Sequence, residues 1–450
     1  MKAYLHIGTE KTGSTTIQDF INNNHKILQE QVYIPHSLGY NHWPLAVLAY
    51  DDNKIDSFKI TNNLLDKEEF NKYKTTLFNN LKLELKGKTN ILFTSELIHS
   101  RLNTKEEIQK LKKILIQLGI NKFKIIVYLR EQGDLINSLF SEAIKWSEIN
   151  EDFDFTLKDN YKLEYEEGYK KNITHFQFIC DHKNTIQNWQ DVFGQENIAA
   201  TIFDKKYFKD NDLITDFLDK INIKNNNAFI KNKNSNKSLD IYGVDLLLYI
   251  NKQIPLFTNF KQNHLRGDIL KFINKYFTNK NHSYKLSNQI INNVREYYKK
   301  DNEYLENIYF NNNQKFIYKN ITSTENKTLD TNIKECIFDI ISSKNKVILD
   351  LKKDIKWLKN YKQNNLMNDI DLIIDSTKAY KLGKYMKDLK NNKLNIIAIL
   401  KFIFCFIFYK EQKITIKLIK EISQDNLKLS TKYKDYIQGM KIIKKQGQNL

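Results

Sequence analysis

A chain of 450 residues with 41% hydrophobic and 12% aromatic content carries enough apolar material for a folded core, which excludes the disordered class. Its 71 Lys and Arg against 53 Asp and Glu give a formal net charge of +18. That charge favours anionic partners without choosing among nucleic acid, a phosphate-rich cofactor, an anionic glycan and a membrane surface. In chain order, residues 3–7 read as a short apolar strand, 8–13 as a tight loop, and Ser14 as the start of a helix whose Ile17, Phe20, Ile21, Ile27 and Leu28 keep helical spacing. A second strand is expected over 90–94, ending at Ser95-Glu96, and a charged helix over 104–118 closed by Gly119. A third strand over 124–129 is almost wholly apolar, as a buried parallel strand should be, and ends at Arg130. Helices over 134–146 and 184–193 then lead into a fourth strand over 198–203. Alternating strands and helices predict an α/β fold built on a parallel sheet. After about residue 235 helical patterns dominate, and the Asn-, Thr- and Lys-rich stretch 311–333 reads as a linker. The expected organisation is therefore a domain over 1–310, the linker, and a mainly helical region over 334–450.

The three cysteines, Cys180, Cys336 and Cys405, lie far apart with no CxxC pairing. A disulfide framework or zinc site is not expected, and a reducing compartment is. The strand at the start leaves no room for a secretory signal, so a cytoplasmic location is expected.

Two places carry chemistry. The first is Gly8-Thr9-Glu10-Lys11-Thr12-Gly13-Ser14-Thr15-Thr16, between strand and helix. Such a loop aims backbone N–H groups at one anion, and the helix behind it adds partial positive charge. Gly8 and Gly13 have the GxxxxG spacing of a nucleotide-triphosphate loop, but Ser14 stands where that pattern needs lysine, and the lysine sits inside the loop at position 11. The altered pattern disfavours ATP hydrolysis. It suits a less charged sulfuryl group, which one lysine and backbone amides can hold without a metal. The second place is Arg130, just past a buried strand, with Ser138 on the following helix. An arginine there points into the crevice where α/β sheets bind ligands, and its guanidinium can fork onto a phosphate.

Together these two places resemble the 5′-phosphosulfate loop and the 3′-phosphate site of bacterial sulfotransferases, with Ser14 where threonine is commoner. Ser95-Glu96, Asn188-Trp189 through Phe193-Gly194 to Asn197-Ile198, Asn234 to Leu239 and Asn292 to Tyr309 are similar too, so the resemblance covers roughly 1–310. It implies a P-loop-like three-layer fold and 3′-phosphoadenosine 5′-phosphosulfate as donor, with no metal. It implies that Lys11 contacts the oxygen bridging sulfur and the departing nucleotide. Thr12, Gly13, Ser14, Thr15 and Thr16 would hold the 5′-phosphosulfate, and Arg130 and Ser138 the 3′-phosphate. Lys233 to Ser238 would close over the nucleotide. The acceptor must lose a proton, and His42, Glu96 and, third, Glu10 are candidate bases. The implied acceptor is a carbohydrate or glycolipid, as in a bacterial surface glycan. A kinase or NTPase remains the alternative. A nucleic-acid partner is not expected, since no RNP-type motif occurs.

Near the end, lysines at 378, 381, 384, 387, 390 and 393 advance about 60° per step on a helix and spiral around it. Residues 396–409 are apolar except for Lys401, too short for a spanning helix, which needs about 20 residues. A basic flank beside a short apolar helix suits peripheral membrane contact through 378–409, at the inner face of the membrane, and a buried core helix suits the same pattern equally.

Overall fold

The computed structural model describes residues 1–146, 165–166, 169–170, 172–225, 227–230, 238–267, 269–278, 284–320 and 328–362. The segment 378–409 and all of Lys233 to Ser238 except Ser238 lie outside them. By its contacts the chain divides into two units. The first comprises Met1–Asn236, Phe257–Gln262 and Tyr284–Glu325, the second Lys237–Leu256, Asn263–Ser283 and Asn326–Leu450.

The first unit is α/β. Four parallel strands, β1 (Lys2–His6), β2 (Asn90–Thr94), β3 (Lys122–Leu129) and β4 (Ile198–Ile202), lie in the order β2-β1-β3-β4. Alternate residues of each strand enter different cores. Ala3, Leu5, Ile91, Phe93, Ile125, Val127 and Leu129 pack with Leu45, Leu111, Leu115 and Trp189 on one side. Tyr4, Leu92, Ile126 and Tyr128 pack with Ile17, Phe20, Ile21 and Phe217 on the other. Both faces are thus covered by helices, which is why residues facing either way along the strands are apolar.

Chain order sets where the sheet can bind. Helix α1 (Ser14–Asn23) follows β1, α2 (Glu96–Arg101) and α3 (Lys105–Gln117) follow β2, and α4 (Gln132–Lys145) follows β3. Helix α5 (His182–Phe193) precedes β4, and α6 (Asn288–Tyr304) comes later. The chain goes from β1 out to β2 and then back past β1 to β3, so the order reverses between β1 and β3. Ligands of open α/β sheets bind outside the carboxyl ends of the strands at such a reversal. The loop 8–13, Ser95-Glu96 and Arg130 all leave those ends.

Helix α1 stops at Asn23, where the sequence pattern runs on to residue 28. Asn24 Nδ2 donates to the Phe20 carbonyl at 2.9 Å and its Oδ1 accepts the Ile230 amide at 2.7 Å. This side chain ties off the helix end through a residue more than two hundred positions away.

In the second unit, helix Ile241–Gln253 is capped by Asp240, whose Oδ1 accepts the Gly243 amide at 2.9 Å. Asp245 on that helix accepts the Leu329 amide at 2.7 Å and pairs with Lys334 at 3.1 Å, at the start of helix Thr331–Lys362. Arg266 is buried and donates to Ile254 O at 2.8 Å and Asn251 Oδ1 at 2.5 Å. Asp245 thus ties helix Ile241–Gln253 to the start of helix Thr331–Lys362. No helix among the described residues is long and apolar enough to cross a membrane.

Candidate active site

Strand β1 runs without a break into the loop, because the ladder with β3 continues past it. The Thr9 amide donates to Tyr128 O at 3.1 Å, and the Tyr128 amide to Gly8 O at 2.7 Å. Inside the loop, Thr12 Oγ1 and Ser14 Oγ donate to Thr9 O at 2.6 and 3.4 Å. The glycines are needed where they stand. Gly8 has φ 102°, and a Cβ there would lie 2.9 Å from Glu96 Cβ. Gly13 has φ 80°, and a Cβ would lie 2.5 Å from Leu213 Cδ2. Gly13 also precedes α1, whose N-terminus has no side-chain cap and no acidic residue in its first turn. Its amides and the positive end of the helix therefore face the loop with no acidic side chain in the first turn to offset them. Thr15 and Thr16 lie in that first turn, Thr15 exposed. The loop thus fits a phosphosulfate in chemistry: backbone donors, hydroxyls and one lysine.

Arg130 comes to the same loop. Its Nη1 donates to the Lys11 carbonyl at 3.0 Å, so the two residues lie side by side at the β1/β3 reversal. Burial lowers the guanidinium pKa from its ordinary value, with Asp134 and Glu131 pulling the other way. Its backbone is fixed by His182, whose Nε2 donates to Arg130 O at 2.7 Å from a ring stacked on Phe316. Ser138, two turns along α4, spends its hydroxyl on the Asp134 carbonyl at 3.0 Å. Lys11 itself, at φ 62°, places its ammonium 2.8 Å from Glu142 Oε2.

The three candidate bases fare differently. His42 is buried. Its Nδ1 accepts the Thr94 amide at 3.1 Å, and its ring also bonds the Pro35 backbone. Burial pushes its pKa down to about 4. A nitrogen that already accepts an N–H cannot take a proton without breaking that bond, and the ring's part is to bind the backbone of β2 to that of residue 35. Glu96 opens α2 after the N-cap Ser95, with its Cβ against Gly8. Its Oε2 accepts from Gln18 Nε2 at 2.9 Å. Burial raises its carboxyl pKa above the ordinary value, the Glu10 charge adds to this, and Gln18 and Lys11 oppose it. Glu10 has one buried oxygen, Oε1, 3.6 Å from Arg101 Nη1 and 3.8 Å from His175 Nε2.

The structure brings Glu10, Lys11, Glu96 and Arg130 into one neighbourhood and sets His42 into the backbone behind it. It adds residues the sequence did not single out: Gln18, Arg101, His175 and Glu142. Only Glu142 carried a sequence signal, lying one helical turn beyond Ser138 on the same face.

No family model matches the sequence. Over 150 residues the chain is 27% identical to an uncharacterized protein of Archaeoglobus fulgidus, in a match covering 33% of this chain and 35% of that one. The chain thus spans about a third of the length of the curated relative it matches. Among solved structures it is similar to a sulfotransferase from Alicyclobacillus acidocaldarius, at 14% identity and a TM-score of 0.33, covering 52% of this chain and 85% of that chain.

Proposed function

We propose that this chain is a sulfotransferase that takes a sulfuryl group from 3′-phosphoadenosine 5′-phosphosulfate and delivers it to a hydroxyl or amine of a carbohydrate or glycolipid acceptor. The observation that carries the reading is the meeting of two cationic sites, with Arg130 Nη1 3.0 Å from the carbonyl of Lys11 where the strand order reverses. A kinase or NTPase would need lysine after Gly13, and Ser14 stands there. The donor, held between the loop and Arg130, supplies the sulfuryl group and leaves as adenosine 3′,5′-bisphosphate.

The chain's own residues then divide the work. The loop amides, with the hydroxyls of Thr15 and Thr16, hold the 5′ end, and Thr12 and Ser14 join them by turning their hydroxyls from the Thr9 carbonyl. Arg130 holds the 3′-phosphate, and Ser138 joins it by turning its hydroxyl from the helix carbonyl. Lys11 offsets the negative charge that grows on the departing oxygen. Glu96 takes the acceptor proton on a carboxylate oxygen as the acceptor bonds to sulfur and the sulfur–oxygen bond to the phosphate breaks. Its raised pKa suits this part, since a base works best when its proton affinity lies nearer the working pH.

Sulfuryl transfer from radiolabelled donor to a panel of glycan acceptors, followed against pH, tests this reading. Glu96 must be ionised to act, so kcat/KM should climb with pH through a value above the ordinary glutamate range and then level off. Glu96→Gln should remove that limb and lower the rate about a hundredfold. An unchanged pH profile in this variant would place the base elsewhere. Transfer from ATP with Mg²⁺ in place of the sulfuryl donor would favour the kinase reading.

A further inference from the structure

The Lys11 ammonium is held by a carboxylate from another element. Glu142 Oε2 lies 2.8 Å from Lys11 Nζ and 3.8 Å from Lys145 Nζ, and Glu142 Oε1 accepts from Trp146 Nε1 at 2.9 Å. Burial works against the ionised carboxyl, but the charge and hydrogen bond of Lys11, with Lys145 and Trp146 added, hold its pKa below the ordinary value. Glu142 is therefore an anion at neutral pH, and it rests on the cation that the proposed donor would need.

We infer that Glu142 is a positioning residue for Lys11, an internal counter-ion that competes with the 5′-phosphate of the nucleotide for the lysine ammonium. The inference rests on the reading of Lys11 as the cation that meets the departing oxygen, which in the bisphosphate belongs to the 5′-phosphate. Three features support the exchange. The pair is partly solvent-exposed, at 27% and 34% of the two side chains, so it can separate without stranding a charge in the core. Lys145 lies beside Glu142, so the carboxylate keeps a cation when Lys11 turns away. Lys11 sits in a loop with glycines at both ends, whereas Glu142 is fixed on α4, so the lysine is the partner that moves. Glu142 thus lowers affinity for the nucleotide, and it recaptures the lysine when the bisphosphate product departs.

The test is calorimetric binding of three probes to wild type and Glu142→Gln: adenosine 3′,5′-bisphosphate, adenosine 5′-phosphate and adenosine 3′-phosphate. Glutamine keeps the shape and a hydrogen-bond acceptor but gives up the charge. A partly exposed ion pair sets the scale of the gain at about threefold to fivefold in affinity. The gain is expected for the two probes bearing a 5′-phosphate and not for the 3′-phosphate alone. An equal gain for all three would reduce Glu142 to a general negative charge, and no gain for any would remove its hold on Lys11. Either outcome overturns the inference while leaving the sulfotransferase reading intact. Failure of the bisphosphate to bind wild type would overturn both.

Discussion

Lys11→Ala is expected to lower sulfuryl transfer about a thousandfold, with a smaller loss of nucleotide affinity. The asymmetry follows from where the charge appears. On the proposed reading, the 5′ end in the ground state would be shared among the loop amides and the uncapped first turn of α1. On transfer, negative charge would collect on the oxygen leaving sulfur, and on the same reading Lys11 would be the loop cation that meets it. Lys11→Arg should recover little, because a planar fork does not replace a point charge on a flexible stem. Single-turnover rates alongside bisphosphate affinity separate the two effects. Equal loss of both would mean that Lys11 binds without discriminating the transition state.

Glu131→Ala is expected to destabilise the first unit by about 3–5 kcal/mol, seen as a lower denaturation midpoint. Glu131 is only 5% exposed and closes two requirements at once. It caps α4, with Oε1 and Oε2 accepting the Gly133 and Asp134 amides at 2.8 and 3.0 Å. The same oxygens take a two-pronged bond from Arg295 on α6, at 3.0 and 2.9 Å. Removing the carboxylate leaves two helix amides and a half-buried guanidinium without that acceptor, beside Arg130. Arg295→Ala should cost less, since Glu131 keeps its amides. A loss below about 1 kcal/mol for Glu131→Ala would show that solvent replaces these bonds.

Much of this was legible in the sequence wherever the cause is local. Gly8 and Gly13 announce backbone that other residues avoid, and both adopt positive φ. Arg130 was placed by the end of an apolar run, because a strand buried on both faces must stop where a charge appears. Burial of β3 is legible in its nearly unbroken apolar run. What escaped depends on distant partners. The Lys11–Glu142 pair joins residues 131 apart and Glu131–Arg295 residues 164 apart, and no period connects them. His42 illustrates the same limit: beside Trp43 in a loop it reads as available, and only the fold shows its ring spent on the Thr94 amide and the Pro35 backbone. The end of α1 at Asn23 is likewise set by Asn24 reaching residue 230.

The proposal stands or falls on whether a single nucleotide reaches from the lysine loop to the arginine at the next strand end. Binding of adenosine 3′,5′-bisphosphate and adenosine 5′-phosphate to wild type and Arg130→Ala decides it. In wild type the 3′-phosphate should strengthen binding at least tenfold, as a charge-assisted contact of about 1.5–3 kcal/mol requires, and in Arg130→Ala that advantage should vanish. Equal weakening of both nucleotides by the substitution, or no preference for the bisphosphate in wild type, would contradict it.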